Sequence, residues 1–171
     1  PSLDDGAPKK EFSFDYTYDA DSLQDTVYAN LGAPLLDKAF GGWNGTIFAY
    51  GQTGAGKTFT MMGDRESADL KGIIPRAASH IFEHLSGQGP HITAAVKVEY
   101  LEVYRENIND LLTPGAAPLH VRGDVSSARG RYVDGLHAEY AATEEQLLAV
   151  LERGEEQRKT SATKMNKGSS R

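Results

Sequence analysis

The sequence predicts an α/β fold with a mostly parallel central sheet flanked by helices. Stretches of alternating apolar residues are interleaved with stretches of helical periodicity, the order expected of such a sheet. A short apolar run at 46–50 leads through a glycine-rich turn into a helical pattern. The length of 171 residues and the hydrophobic content of 39 % suit one domain with a core of ordinary size.

A strand and a helix are predicted at the start of the chain. Residues 11–18 carry aromatic side chains at every second position, which indicates a strand with one buried face. Asp21 or Ser22 is a candidate N-cap of the following helix, in which Pro34 is expected to cause a bend and the glycine pair 41–42 the end. The apolar residues of this helix recur every four positions, at Leu23, Val27, Leu31 and Leu35.

The middle of the chain predicts a strand, a tight turn and two helices. The apolar run 46–50 is expected to form a strand buried on both faces. The glycine-rich turn 51–56 and a helix over 57–62 follow it. After the polar loop 63–72, a further helix is expected from about Pro75, which is acceptable in a first turn.

The last part of the chain predicts a strand, an irregular region and a final helix. Residues 91–100 alternate again, and a shift of phase at Leu101 indicates a bulge or a strand break. A short helix is expected around 108–112, and an excursion with a hairpin is expected over 114–135. The pattern T-x-x-Q at 143–146 is a capping box for the last helix.

Composition excludes several classes of protein. The formal net charge of −6 and the pI of about 5.3 argue against a nucleic-acid binder, which would usually be basic. No apolar run approaches the roughly 18 to 20 residues of a membrane helix, so no membrane partner is expected. The absence of cysteine excludes disulfides and thiolate metal sites, and it is compatible with the cytosol.

Residues 51–58 match the pattern G-x-x-x-x-G-K-[ST] in full. Glycine lets a backbone wrap closely around phosphate oxygens, and the N-terminus of the helix behind the loop adds a positive dipole end. The residues expected to bind the phosphates are Gly51, Gln52, Thr53, Gly54, Ala55 and Gly56. Lys57 would reach the β- and γ-phosphates, and the Thr58 hydroxyl would bind Mg²⁺. A chance glycine-rich turn is the alternative, but the preceding apolar run and the following helix favour a phosphate site.

The loop by itself identifies neither the base nor the reaction. The guanine signature N-K-x-D is missing, because Asn166 and Lys167 are followed by Gly168 and Ser169. No apolar run that ends in a Walker-B-type aspartate follows the loop, so a second support for Mg²⁺ is not evident.

Residues 44–61, which read NGTIFAYGQTGAGKTFTM, resemble the phosphate-loop block of kinesin motor domains. The likeness continues through the segments 12–16, 72–76, 98–104 and 166–171, the last of which resembles the switch I region of the family. It covers roughly residues 11–171. The resemblance implies a P-loop NTPase fold of the kinesin motor type that binds ATP and Mg²⁺ and uses hydrolysis to move along microtubules.

The resemblance also implies roles for individual residues. Phe59 lies where the family often places a ring near the adenine, although an aromatic residue at the start of a helix could equally be core. Ser169 and Ser170 would help to order Mg²⁺ and the attacking water, with Ser170 as a metal ligand, and Arg171 would form the switch ion pair. A polar run of this composition could otherwise be a solvated tail.

The expected partner is the microtubule in the cytoplasm, whose acidic surface calls for local basic residues. The excursion between the central strand and the last helix contacts tubulin in the family, and here it carries Arg122, Arg129 and Arg131. These arginines could also be solvated loop charges without a partner.

By the same resemblance, residues 1–171 are expected to be part of a motor domain. The first strand, switch II, the main microtubule-binding helices, the neck and any oligomerisation segment are not among them. Two alternatives stay open, namely another P-loop enzyme and a motor-like module that binds nucleotide without catalysis.

Overall fold

The computed structural model describes residues 11–64, 67–89, 91–126 and 130–168. The chain divides into two compact units, with the boundary between Ile73 and Ile74. Within the described ranges, no helix is both long and apolar enough to cross a bilayer.

The first unit consists of short helices and irregular segments. Helix α1 (Gln24–Val27) continues through a π-helical turn (Tyr28–Gly32) into α2 (Ala33–Phe40). Helix α3 (Lys57–Met61) and a 3₁₀ turn (Ala68–Leu70) follow. The bend expected at Pro34 is therefore a π-helical turn just before it, and the proline is among the first residues of α2.

The predicted N-cap of the first helix is wrong. The helix begins at Gln24, and Leu23 precedes it in an extended conformation without a side-chain cap. Ser22 instead closes a turn with Asp19, since its Oγ accepts from the Asp19 N–H at 2.9 Å and donates to Asp19 Oδ1 at 2.8 Å. Serine and aspartate readily form such local bonds, which compete with capping.

The two strands predicted in the first unit, at 11–18 and 46–50, are not formed. Phe12, Phe48 and Tyr50 are 72 %, 83 % and 89 % exposed. Aromatic residues of these segments stack on near neighbours in the sequence, with 6.4 Å between the ring centroids of Phe48 and Tyr50. A strand requires a hydrogen-bonded neighbour, and no residue in the described ranges pairs with either segment.

The second unit, which begins at Ile74, contains nearly all of α4 (Ile73–Ser86), three antiparallel strand pairs and α5 (Glu144–Gly168). The strands are β1 (Val96–Glu99), β2 (Leu101–Tyr104), β3 (Asn107–Asp110), β4 (His120–Arg122), β5 (Tyr132–Asp134) and β6 (Ala138–Ala141). They pair as β1–β6, β2–β3 and β4–β5, all antiparallel. Helices and strands are thus both present, but the described strands form no parallel sheet.

Several predictions for this unit are confirmed. The strand break expected near Leu101 separates β1 from β2, and β4–β5 is the hairpin expected within 114–135.

The short helix expected around 108–112 is wrong, because Asn107–Asp110 pairs with β2. The connecting residues Arg105 and Glu106 have φ of 47° and 64°, so they form a two-residue turn of the kind that joins antiparallel strands.

The core of the second unit lies between β1, β6 and the two helices. Its buried members are Ala78, Val98, Ala141, Leu147 and Val150. A hydrogen bond of 2.6 Å from Ser79 Oγ to Glu144 Oε1 also joins α4 to the start of α5.

The cap predicted at the start of α5 is present, but it differs from a standard capping box because the Gln146 side chain accepts from the N–H of Ala142 and not from that of Thr143. The Gln146 N–H donates to Thr143 Oγ1 at 3.3 Å, and Gln146 Oε1 accepts from the Ala142 N–H at 2.8 Å. The pKa of Glu145 is lowered, mainly by a hydrogen bond with the Thr143 side chain and to a smaller extent by a backbone hydrogen bond. Negative charge is favoured in the first turn of a helix.

Replacing Thr143 should weaken this cap. We expect Thr143→Ala to lower the free energy of unfolding by about 1 kcal/mol and to raise the Glu145 pKa toward its ordinary value. Because that pKa is lowered in the folded chain, the ionised Glu145 carboxyl group stabilises the fold above the ordinary glutamate pKa. This stabilisation is lost as the pH falls through the lowered pKa. Denaturant unfolding and a carboxyl titration by NMR would test both effects. Thr143→Ser is the matched control and should retain them; equal losses in both variants would contradict the cap.

Candidate functional site

The glycine-rich loop of the first unit is shaped by two glycines in the left-handed region. Gly54 and Gly56 both have φ of 84°, which side chains with a Cβ rarely adopt. A Cβ added at either position would meet no atom within 4 Å. The backbone conformation, not a lack of space, therefore requires glycine here, and the open space beside the loop is compatible with a ligand that approaches the backbone.

Gly56 joins the loop directly to α3. It is the residue before Lys57, and its carbonyl accepts the N–H of Thr60 at 2.8 Å, which is the first helical bond. The N–H groups at the start of a helix have no helical acceptor. The helix start thus adds N–H groups without a helical acceptor and a positive dipole end to the loop, which is a favourable setting for an anion.

The Lys57 ammonium lies across the loop. Its Nζ donates to the carbonyl oxygen of Gly51 at 2.6 Å and to that of Gln52 at 2.7 Å. An ammonium has three N–H donors, so the loop carbonyls use two of them. The positive charge is held inside the loop, where an anion would meet it.

The other predicted residues of the loop are mostly exposed. Thr53, Ala55 and Thr58 are accessible, and the Ala55 N–H closes a turn on the Gln52 carbonyl at 3.2 Å. The described residues contain no cluster of three His, Asp or Glu side chains able to hold a metal. A magnesium ion at this site would thus depend on the Thr58 hydroxyl and on phosphate oxygens, which is a common arrangement for Mg²⁺. The side chains present fit such a group.

Phe59 borders a cavity of about 440 Å³ in the first unit. Its side chain is 49 % exposed, so it is not a core residue of the described structure. Residues from the loop, α3 and the segment before and along α1 share this cavity: Tyr18, Asp19, Ala20, Ser22, Gln24, Val27, Leu31, Ala55, Gly56 and Thr60. Its volume lies within the range of small-molecule sites.

Sequence reasoning missed one contact of the site. Gln24 is buried, and its Nε2 donates to the carbonyl oxygen of Phe59 at 2.7 Å. The two residues are 35 positions apart. A glutamine at the start of a helix is ordinarily solvated, so no local pattern indicates this contact.

The remaining predicted residues lie in or after the second unit's last elements. Ser169, Ser170 and Arg171 lie outside the described residues, as does Arg129. Arg122 and Arg131 are exposed at the β4–β5 hairpin, and Arg122 Nε is 3.7 Å from Asp134 Oδ2. The structure thus brings the predicted loop residues together and leaves the switch residues untested.

Comparison with known proteins agrees with the loop. A family profile described as the kinesin motor domain matches residues 2–171. The chain is 42 % identical to kinesin-like protein klp-20 of Caenorhabditis elegans and 41 % identical to kinesin-like protein KIF11 of Mus musculus, in both cases over 99 % of the chain. It is 43 % identical to centromere-associated protein E of Homo sapiens over 95 % of the chain.

The chain spans 26 %, 17 % and 6 % of the length of these three relatives. The family is one of nucleotide-binding microtubule motors with an α/β P-loop fold. The profile match covers almost every residue, and it includes the loop whose geometry is described above. The chain therefore belongs to the kinesin motor domain family.

Proposed function

We propose that this chain binds ATP with Mg²⁺ at residues 51–59 and takes part in ATP hydrolysis within a microtubule motor. The observation that carries the proposal is the continuous path from the glycine-rich loop through left-handed Gly56 into α3, with the Lys57 ammonium held across the loop. Membership of the kinesin motor family supports it independently.

The loop residues would position the phosphates. Backbone N–H groups of 51–56 would donate to phosphate oxygens, and the Lys57 ammonium would exchange its carbonyl partners for the β- and γ-phosphates. The Thr58 hydroxyl would hold Mg²⁺, which when bound neutralises the charge between the phosphates. Catalysis of phosphoryl transfer depends on this positioning and on charge stabilisation.

The nucleoside would lie on the Phe59 side of the loop. The half-exposed ring of Phe59 borders the cavity of about 440 Å³, and an exposed aromatic face can stack on a base. Asp19, Ser22 and Thr60 supply polar groups around the same cavity. The absence of a guanine signature favours adenine.

The roles of the switch residues follow from the resemblance. Ser169 and Ser170 would order Mg²⁺ and the attacking water, and Arg171 would form an ion pair that exists in one nucleotide state only. Such a state-dependent contact would couple the γ-phosphate to microtubule affinity. Under this proposal the protein would act on microtubules in the cytoplasm, and its composition leads us to expect neither a nucleic-acid nor a membrane partner.

The same proposal extends to the central sheet. The segments 11–18 and 46–50 form no strand in the described structure, but within the longer motor they would join a mostly parallel sheet of the P-loop NTPase type. Their exposed aromatic side chains support this, because a neighbouring strand and a covering helix would remove apolar area from water.

Lys57→Ala should weaken nucleotide binding at least tenfold. The variant loses a hydrogen bond to a charged phosphate, worth about 1.5–3 kcal/mol, and each 1.4 kcal/mol corresponds to a factor of ten. Titration with a fluorescent ATP analogue in MgCl₂ would measure the Kd. Lys38→Ala, which removes an exposed lysine of α2, is the matched control and should leave the Kd unchanged. Tight ATP binding by Lys57→Ala would contradict the site.

Hydrolysis separates the motor from its alternatives. We expect phosphate release by the full-length protein to be stimulated by microtubules and not by DNA. Stimulation by DNA would indicate another P-loop enzyme. Nucleotide binding without turnover in the full-length protein would indicate a motor-like binding module.

Neutralising the two described arginines of the hairpin should weaken microtubule binding. The double variant Arg122→Gln, Arg131→Gln avoids placing a carboxylate beside Asp134. We expect a several-fold lower affinity in co-sedimentation at low salt and a smaller difference at high salt, because exposed charges are screened beyond roughly 8–10 Å. Lys38→Gln is the control, and the nucleotide Kd should not change. Equal affinity of both variants at every salt concentration would make the arginines solvated loop charges.

A further inference from the structure

We propose that Gln24 is a positioning residue for the phosphate loop, because its side-chain amide caps the far end of the helix that the loop enters. This inference depends on the proposed nucleotide site. It starts from one bond, in which Gln24 Nε2 donates to the Phe59 carbonyl oxygen at 2.7 Å. Gln24 is 6 % exposed, and the buried polar residues found in the described ranges are Gln24 and Asp110. A buried amide without a hydrogen-bond partner would be unfavourable, and the Phe59 carbonyl is that partner.

Helix α3 needs an external hydrogen-bond donor at its end. It has five residues, and its carbonyls at Gly56 and Thr58 receive the N–H groups of Thr60 and Met62, each at 2.8 Å. In a longer helix, the Phe59 carbonyl would receive the N–H of Gly63. Here the Gly63 N–H is directed to the Thr58 carbonyl at 3.4 Å instead.

The chain cannot continue the helix at that point. Gly63 has φ of 70°, and a Cβ added there would lie 2.0 Å from the Leu70 carbonyl oxygen. The turn into the following segment is therefore fixed by close backbone contact. The Phe59 carbonyl is left as an end group of α3, and the Gln24 amide provides the donor that the helix itself does not.

The effect on the site follows from the shortness of α3. Phe59 lies two residues after Lys57 and three after Gly56, so the capped carbonyl is within one helical turn of the phosphate-binding residues. A helix this short is marginal without tertiary support. Fixing its last turn therefore fixes its first turn, whose N–H groups and lysine must meet the phosphates in a defined geometry.

Gln24 is itself held in place by its own segment. It is the first residue of α1, after Leu23 with φ −78° and ψ 143°. The turn between Asp19 and Ser22 sets the direction in which the chain enters that helix. The Gln24 amide thus reaches Phe59 from the start of α1, which the preceding turn holds in place. A residue that positions another group must itself be held in this way.

The test uses Gln24→Met, which keeps the length of the side chain and removes the donor. Hydrogen exchange of the backbone amides at 59–63, measured without nucleotide, reports how firmly the end of α3 is held. We expect exchange about tenfold faster in the variant, the effect of losing one buried hydrogen bond, and a nucleotide Kd raised by a similar factor. Thr26→Ala, at an exposed position of the same helix, is the matched control and should change neither quantity.

A second variant tests the donor by protonation. The ionised carboxylate of Gln24→Glu cannot donate to a carbonyl, whereas the protonated acid can. The Kd of this variant relative to that of the unchanged chain should therefore be highest at alkaline pH and should fall as the carboxyl group is protonated. If the ratio of the two Kd values stays constant with pH, the donor role is overturned. This test does not require Gln24→Met to fold.

The outcomes separate this proposal from the nucleotide site itself. Faster exchange with a raised Kd supports it. Faster exchange with an unchanged Kd, while Lys57→Ala still loses binding, overturns positioning and leaves the site intact. Unchanged exchange overturns the cap. If neither the unchanged chain nor any variant binds nucleotide, both the site and the positioning role are overturned.

Discussion

The candidate site depends on a helix that is too short to be stable by itself. Five residues provide few internal hydrogen bonds, so the geometry of α3 must be imposed from outside. Gly56 sets the direction of entry through its left-handed conformation, and Gly63 sets the direction of exit. Between them, the lysine holds the loop carbonyls and the Gln24 amide holds the Phe59 carbonyl. The loop geometry is therefore a property of the surrounding contacts.

Local charge matters more at this site than the charge of the whole chain. The chain carries a net charge of −6, which by itself would repel a nucleotide or an acidic surface. Exposed charges more than roughly 8–10 Å apart are largely screened at physiological salt. The Lys57 ammonium lies inside the loop, and Arg122 and Arg131 lie together at one hairpin, so each can act at short range. The net charge of the chain therefore does not by itself decide which ligands these local groups attract.

The parts predicted from the sequence are those specified by neighbouring residues. The glycine-rich turn is a continuous motif, and the cap of α5 involves residues only three or four positions apart. Both are present. The strand at 46–50 was predicted from apolar content, but strand formation depends on a distant partner that the local pattern cannot reveal.

Two further differences have specific causes. The β2–β3 hairpin was missed because Arg105 and Glu106 occupy left-handed positions that asparagine and glycine usually fill. The Arg105 guanidinium lies 5.3 Å from the Tyr104 ring centroid, a contact that can offset part of the conformational cost. The bond between Gln24 and Phe59 spans 35 residues, so periodicity and spacing carry no information about it.

The bonds of Lys57 to Gly51 and Gln52 have a consequence for selectivity. The ammonium has already exchanged part of its hydration for two neutral carbonyl oxygens of its own loop. A neutral ligand offers acceptors no stronger than these, so it gains little by displacing them. A phosphate oxygen with formal charge offers a stronger hydrogen bond. At the proposed site, an anionic ligand would therefore gain more from the lysine than a neutral ligand would.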